Sequence, residues 1–152
     1  MDDYLDPIED EVKAVFTLIA NYAFALGFKV KKDATESLGY IFRHAKIKKT
    51  IMRFSTIHDK PIIRFKFYAS ATYSPYFHEA IRATIEEYNF RYTGCYNCGR
   101  CDGTQGYTYH YPDGRCYFRC GMELIELFDV KHIPVDEFLT LFKTQHDYFL
   151  VK

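Results

Sequence analysis

The sequence predicts an α+β fold, and three observations carry that expectation. Apolar residues recur with helical period near the start, the middle and the end of the chain. Between these segments they alternate with a period of two. The period-two stretches follow one another through short turns rather than alternating one by one with helices, which favours antiparallel pairing. The expected order is helix, three-stranded antiparallel meander, helix, cysteine loop, hairpin and final helix, about three helices in all.

Asp6, Pro7 and Glu9 look like the start of the first helix, with Asp6 as N-cap and Pro7 at the first helical position. Val12, Val15, Phe16, Ile19, Ala23 and Leu26 then mark its apolar face, and Gly27 is the expected stop. Leu38, Tyr40, Phe42 and His44 alternate with more polar neighbours and predict a strand. Met52 and Phe54 lie in a second strand over 50–56, and Ile63, Phe65, Phe67 and Ala69 in a third. The segment from Ile57 to Pro61 reads as the turn between the last two. Together the three strands form a meander with one face on the core and a basic, partly wet face opposite.

Ser74 and Pro75 signal a second helix, with Phe77, Ile81, Ile85 and Tyr88 as its buried stripe. Tyr107, Tyr109 and Tyr111 alternate ahead of Pro112-Asp113-Gly114, a turn sequence, and Arg115 to Arg119 returns as the other arm of a hairpin. Residues 123–127 extend the sheet, and Pro134, Val135, Phe138, Leu139 and Phe142 predict the last helix. At 152 residues the chain suits one domain that buries about two-thirds of its unfolded surface. Its parts are a helix–meander–helix portion over 1–90, a metal loop and hairpin over 91–127, and a C-terminal helix and tail over 128–152.

Composition narrows the function classes. Aromatic residues make up 18% of the chain, 14 Tyr and 14 Phe with no Trp, and rings of this size dominate a core. A tyrosine excess also suits an aromatic-lined pocket, for which Tyr40, Phe42, Phe65, Phe67 and Tyr68 are the candidates. Lys+Arg and Asp+Glu both number 20, which argues against a protein dominated by contacts to nucleic-acid phosphates. Two basic clusters stand out, Lys29 to Lys32 and Lys46 to Lys49. Each reads either as a solvated strand end or turn, or as part of an anion-binding surface. No leader pattern opens the sequence and no apolar run reaches the ~18 residues that span a bilayer. The expected setting is cytoplasmic, with no membrane partner.

All five cysteines fall between Cys95 and Cys120. Cys95, Cys98 and Cys101 follow one another at ligand spacing, and Cys116 and Cys120 come later in the hairpin. Clustered thiols of this kind grip a soft metal. If 115–120 is extended, four steps of ~3.3 Å hold Cys116 and Cys120 about 13 Å apart. Thiolates on one zinc lie only about 4 Å from each other, at ~2.3 Å from the metal. One of the two binds, and Gly121 after Cys120 favours Cys120, as Gly99 follows Cys98. A glycine there allows a tight turn and lets backbone N–H groups aim at sulfur. The expected ligands are therefore Cys95, Cys98, Cys101 and Cys120. Replacement of Cys101 by Cys116 is the runner-up, and His110 is a weaker substitute. Zn2+ in a closed, structural site is the expected cofactor. The alternative is an iron–sulfur cluster, although the Cys-Pro of bacterial ferredoxins is absent.

The second half of the chain resembles a known group of proteins. The carrying residues are Tyr92-Thr93-Gly94-Cys95 with Cys98-Gly99 and Cys101, then Tyr111-Pro112-Asp113-Gly114-Arg115 with Tyr117-Phe118-Arg119-Cys120-Gly121, and Glu123 to Glu126. Phe65 to Ala69 and Phe77 to Ile81 fit as well. This pattern resembles a family of small bacterial proteins, a domain family of unknown function in anaerobic Gram-positive bacteria. The resemblance implies a cytosolic bacterial setting and transfers no catalytic residue.

The usual catalytic constellations are missing. There is no phosphate-cradling glycine motif, no G-x-S-x-G elbow and no His-Glu-x-x-His, and the deaminase spacing around His78-Glu79 does not occur. Six histidines, His44, His58, His78, His110, His132 and His146, are scattered and pair with no acid–base partner in sequence. A four-thiolate site leaves no open position for water. No catalytic residue is assigned. The expected function is that of a small zinc-binding module for a small molecule or a protein partner. The alternatives are a nucleic-acid-binding zinc ribbon using Arg100, Arg115 and Arg119, or a thiol redox protein.

Overall fold

Alternation of large apolar and polar side chains builds the main sheet. In the computed structural model, which describes residues 1–33, 38–95 and 103–151, the fold is α+β. Five antiparallel strands run in the order β1 (Phe28–Lys32), β2 (Tyr40–His44), β3 (Met52–Ile57), β4 (Lys60–Phe65) and β7 (Ile125–Leu127). A separate two-stranded hairpin is formed by β5 (Gly106–His110) and β6 (Cys116–Cys120). The helices are α1 (Asp2–Leu5), α2 (Asp10–Ala25), α3 (Pro75–Glu86) and α4 (Val135–Leu150), with a 3₁₀ turn at Val130–His132.

The registers sort the sheet into two faces. Val30 pairs with Phe42, Tyr40 with Phe54, Phe54 with Ile63, Met52 with Phe65, and Phe65 with Ile125. These side chains share one face, as period two requires. Phe16 of α2 meets Phe54 edge-on at 4.8 Å, and Phe138 of α4 stacks on Phe65 at 4.1 Å. The opposite face carries Arg53 paired with Arg64, and Arg64 with Glu126. The core face and the basic face of the meander are as the alternation implied.

Several boundaries differ from the sequence expectation. Asp6 closes α1 instead of capping α2, which starts at Asp10 after Glu9. Tyr4 accounts for the extra turn: its ring is buried, and its hydroxyl donates to the Ser55 carbonyl at 2.7 Å, which ties α1 to β3. Strand β1 was not expected, because Lys29, Lys31 and Lys32 hide the apolar pair Phe28 and Val30. Gly27, at φ +96°, does end α2 in the left-handed region that glycine favours. His44 adds a cap there, with Nε2 3.1 Å from the Leu26 carbonyl while Nδ1 accepts from Lys46 N–H. Ser74 precedes α3, but its hydroxyl has no hydrogen-bond partner among the described residues, and its N–H donates to Glu137. Tyr88 is 71% exposed rather than part of the buried stripe. Helix α3 stops at Glu86, and Tyr88, Asn89 and Phe90 all take positive φ, an unusual run for bulky residues.

The hairpin between His58 and Asp59 is a two-residue turn with both φ values positive, the geometry that matches strand twist. The hairpin β5–β6 turns at Pro112-Asp113-Gly114. Gly114 N–H donates to the Tyr111 carbonyl at 3.0 Å, and the Asp113 carboxylate accepts from Arg115 N–H. Tyr111 donates to Glu86 at 2.6 Å, and Phe90 stacks on Tyr117 at 4.5 Å. Tyr107 is buried beneath Phe67, whose N–H donates to the Tyr107 hydroxyl. The hairpin is thus fastened to α3 and to the end of β4, which brings its cysteine end against the main sheet.

Candidate functional site

The first half of the site is a backbone arrangement. Gly94 forms a parallel bridge with Arg119, and its N–H donates to the Phe118 carbonyl at 2.6 Å. The next residue on one segment is Cys95, and on the other Cys120. A Cβ built on Gly103 would lie 3.6 Å from Cys95 Sγ, so the chain is back beside Cys95 at Gly103. Cys95 is exposed and Cys120 is buried. Cys98 and Cys101, with Arg100 between them and Gly99, lie outside the described residues. Among the described residues, no group of three or more His, Cys, Asp or Glu side chains is arranged to hold a metal ion.

Cys116 sits at the far end of β6, exposed and paired with His110 next to the turn. The two thiols of this strand are therefore kept apart by its extended backbone. His110 shares the end of Cys116, so neither is carried toward Cys120.

Gly121 sits in a turn, as its position implied, closed by Glu123 N–H donating to the Cys120 carbonyl at 3.3 Å. The Gly121 N–H donates to the Gln105 carbonyl at 2.9 Å. A Cβ on Gly121 would come within 2.5 Å of the Tyr68 ring and 2.8 Å of that carbonyl. The missing side chain is what lets Tyr68 close over the strand end.

Of the arginines expected for nucleic-acid contact, Arg119 is used internally, Arg115 is exposed, and Arg100 lies outside the described residues. Arg119 is 4% exposed; its guanidinium donates to the Thr84 carbonyl near the end of α3 and lies 3.5 Å from Glu87 and 3.8 Å from Glu123. It also faces the Tyr92 ring at 5.3 Å. Arg115 is bonded to Asp113 and lies over Tyr111 at 4.6 Å.

The second half of the site is a cavity of about 340 Å³ beside Cys120. Lys48, Lys49, Arg53 and Lys66 supply its charge, and Tyr68, Met122 and Leu124 supply apolar wall. Lys66 is 6% exposed. Its ammonium lies 5.9 Å from the centre of the Phe149 ring, and Lys49 reaches the same ring at 5.3 Å. Burial, then the like charge of Lys49, push the Lys66 amine down to about 8, while Cys120 and Glu123 act in the opposite sense. Arg53 Nη1 is 3.5 Å from Asp33, and its buried Nε has no hydrogen-bond partner among the described residues.

Of the five aromatic pocket candidates, Tyr40, Phe42, Phe65 and Phe67 are packed in the core. Tyr68 alone lines the basic cavity, with its hydroxyl donating to the Gln105 side chain at 3.2 Å. Of the two basic clusters, Lys29 to Lys32 forms β1, and Lys48 and Lys49 of the other reach the cavity. Lys66 was missed. The signal was a lysine flanked by two core phenylalanines, Phe65 and Phe67, in a strand run where a charge has no ordinary place.

Comparison of the chain with protein-family models, with curated proteins and with solved structures finds no match. Among the described residues no helix is long and apolar enough to cross a membrane.

Proposed function

We propose that this protein is a small zinc-binding ligand module, in which Cys95, Cys98, Cys101 and Cys120 hold one structural Zn2+ and the adjoining basic cavity receives a ligand. The single observation that carries the reading is the Gly94–Arg119 bridge, which sets Cys95 and Cys120, distant in sequence, on adjacent segments. The return of the chain to Cys95 at Gly103 supports it further. The cysteine segment is tied to β6 by one bridge, and four thiolates on a metal would lock it there. The core of the main sheet has no need of the metal, because its aromatic packing is independent of the cysteines.

Metal would then serve architecture: it holds the loop against Cys120 and Gly121, which form one wall of the cavity. The cytosolic bacterial setting implied by the family resemblance suits reduced thiols. Nucleic-acid binding is disfavoured by the internal use of Arg119. Elemental analysis of protein purified anaerobically tests the reading. About one zinc per chain without visible absorption supports it. Iron with sulfide and a broad band near ~400 nm overturns it in favour of a cluster protein.

A further inference from the structure

We propose that the cavity bounded by Lys48, Lys49, Arg53 and Lys66 binds the terminal phosphate of a small phosphate monoester, with the ester's organic part against Tyr68, Met122 and Leu124. This names the ligand class of the module proposed above and rests on that reading for its setting, although the cavity itself needs no metal ligand to hold its charge.

Four cations line the cavity and, among the described residues, no carboxylate does, although Asp33 lies 3.5 Å from Arg53 and Glu123 acts on Lys66 from outside the lining. Lys66 is buried on a core strand, and its ammonium has no hydrogen-bond or ion-pair partner among the described residues, only the face of Phe149. Lys49 converges on the same ring, so two like charges are held together at one end of the cavity. Burying an unpaired ammonium beside another cation opposes folding. An anion that enters the cavity removes that opposition, and it gains charge-assisted hydrogen bonds from donors already in place.

The same features choose among anions. Several convergent cations exceed what a single carboxylate neutralises and suit a dianion. A terminal phosphate carries close to two charges and three free oxygens near neutral pH. A nucleic-acid phosphate carries one charge and is substituted on both sides, so it cannot insert end-on to an amine that is 6% exposed. The cavity volume of about 340 Å³ accommodates a small molecule, in the range of ligand pockets. Binding here uses side-chain ammonium groups in place of a glycine-rich backbone cradle, which is why no phosphate motif is visible in the chain.

The test is calorimetric titration and thermal unfolding of the zinc-loaded full chain at fixed ionic strength. The probes are inorganic phosphate, phenyl phosphate and, as the doubly substituted control, diphenyl phosphate. The expected result is saturable binding and a raised Tm with phenyl phosphate, weaker binding of inorganic phosphate, and none of diphenyl phosphate. Lys66→Met should lose about tenfold or more in affinity, with its zinc content unchanged and its ligand-free Tm no lower. Lys49→Gln, at a more open position, should lose affinity without any burden on folding and serves if Lys66→Met does not fold. Absence of saturable binding to the zinc-loaded chain overturns the inference while leaving the metal reading intact. Equal binding of the diester, or unchanged affinity in both variants, also overturns it. Loss of zinc in Lys66→Met with phosphate binding retained would make Lys66 a counter-charge to the metal thiolates and likewise overturn it.

Discussion

Gly94 and Arg119 pair in a parallel bridge, and one residue beyond that bridge on either side stands a cysteine. Arg119 is itself held on its side-chain end, where its guanidinium meets the Thr84 carbonyl, Glu87 and Glu123. A short backbone contact, a buried arginine and the end of α3 thus together decide where Cys95 meets the hairpin.

Removing individual thiols should separate ligands from the spare. Cys120→Ser is expected to purify with its zinc largely lost, whereas Cys116→Ser keeps about one zinc per chain. Chelation of the wild type should leave far-UV circular dichroism nearly unchanged, because the aromatic cluster that holds the main sheet includes none of the cysteines. Equal metal content in the two variants would reject the assignment.

Arg119 should be hard to replace. Arg119→Ala leaves the Thr84 carbonyl without this donor and removes the cation beside Glu87 and Glu123, and the expected cost is about 2–4 kcal/mol in urea unfolding. Arg119→Lys should recover only part of this, since an ammonium cannot reach a carbonyl and two carboxylates from one planar fork. Full recovery by lysine would mean that charge alone matters at this position.

Gly121→Ala should destabilise the protein by about 1–3 kcal/mol, because the added methyl meets the Tyr68 ring and the Gln105 carbonyl. The paired variant Gly121→Ala with Tyr68→Leu removes the ring and should recover part of the loss. If the single variant has an unchanged Tm, the close approach of Tyr68 is not a constraint.

Lys66→Met should raise the Tm of the ligand-free protein, since a buried, unpaired charge is exchanged for an apolar side chain of similar length. A gain of about 1–3 kcal/mol is expected. A residue retained against stability is one whose charge is used, and a lowered Tm would show that Lys66 has a structural partner.

Acid sensitivity should arise in part at Asp3. The Tyr40 hydroxyl, donating at 2.6 Å, holds this carboxyl below its ordinary value, and Lys32 at 3.3 Å adds to the effect. A depressed folded-state value gives stability that is present above the unfolded pKa of about 4 and lost as pH falls through the folded value. Asp3→Asn should therefore flatten the acid limb of a Tm-versus-pH curve and leave its neutral region little changed. An identical acid limb would remove Asp3 from this account.

Much of the fold was legible because local patterns and burial agree. Phe54, Ile63 and Phe65 alternate on the strands that bury them, and Pro112-Asp113-Gly114 forms the turn its residues favour. Strand β1 was hidden by its lysines, and α1 by an anchor of Tyr4 to β3 that no local pattern reveals. The order of strands around β7 was also beyond reach, since Ile125–Leu127 pairs with β4 across a long separation.

The sequence by itself determined the class of fold, the cysteine cluster and the separation of Cys116 from Cys120, because periodicity, ligand spacing and strand rise are local quantities. Tertiary structure alone decided that Cys95 lies beside the Cys120 strand end, that Arg119 is an internal brace, and that Lys48, Lys49, Arg53 and Lys66 share one cavity. Charges on separate segments have no preferred distance until packing sets one. Here the packing of β4 against β3, β7 and α4 draws those cations together, although the net charge of the chain is zero.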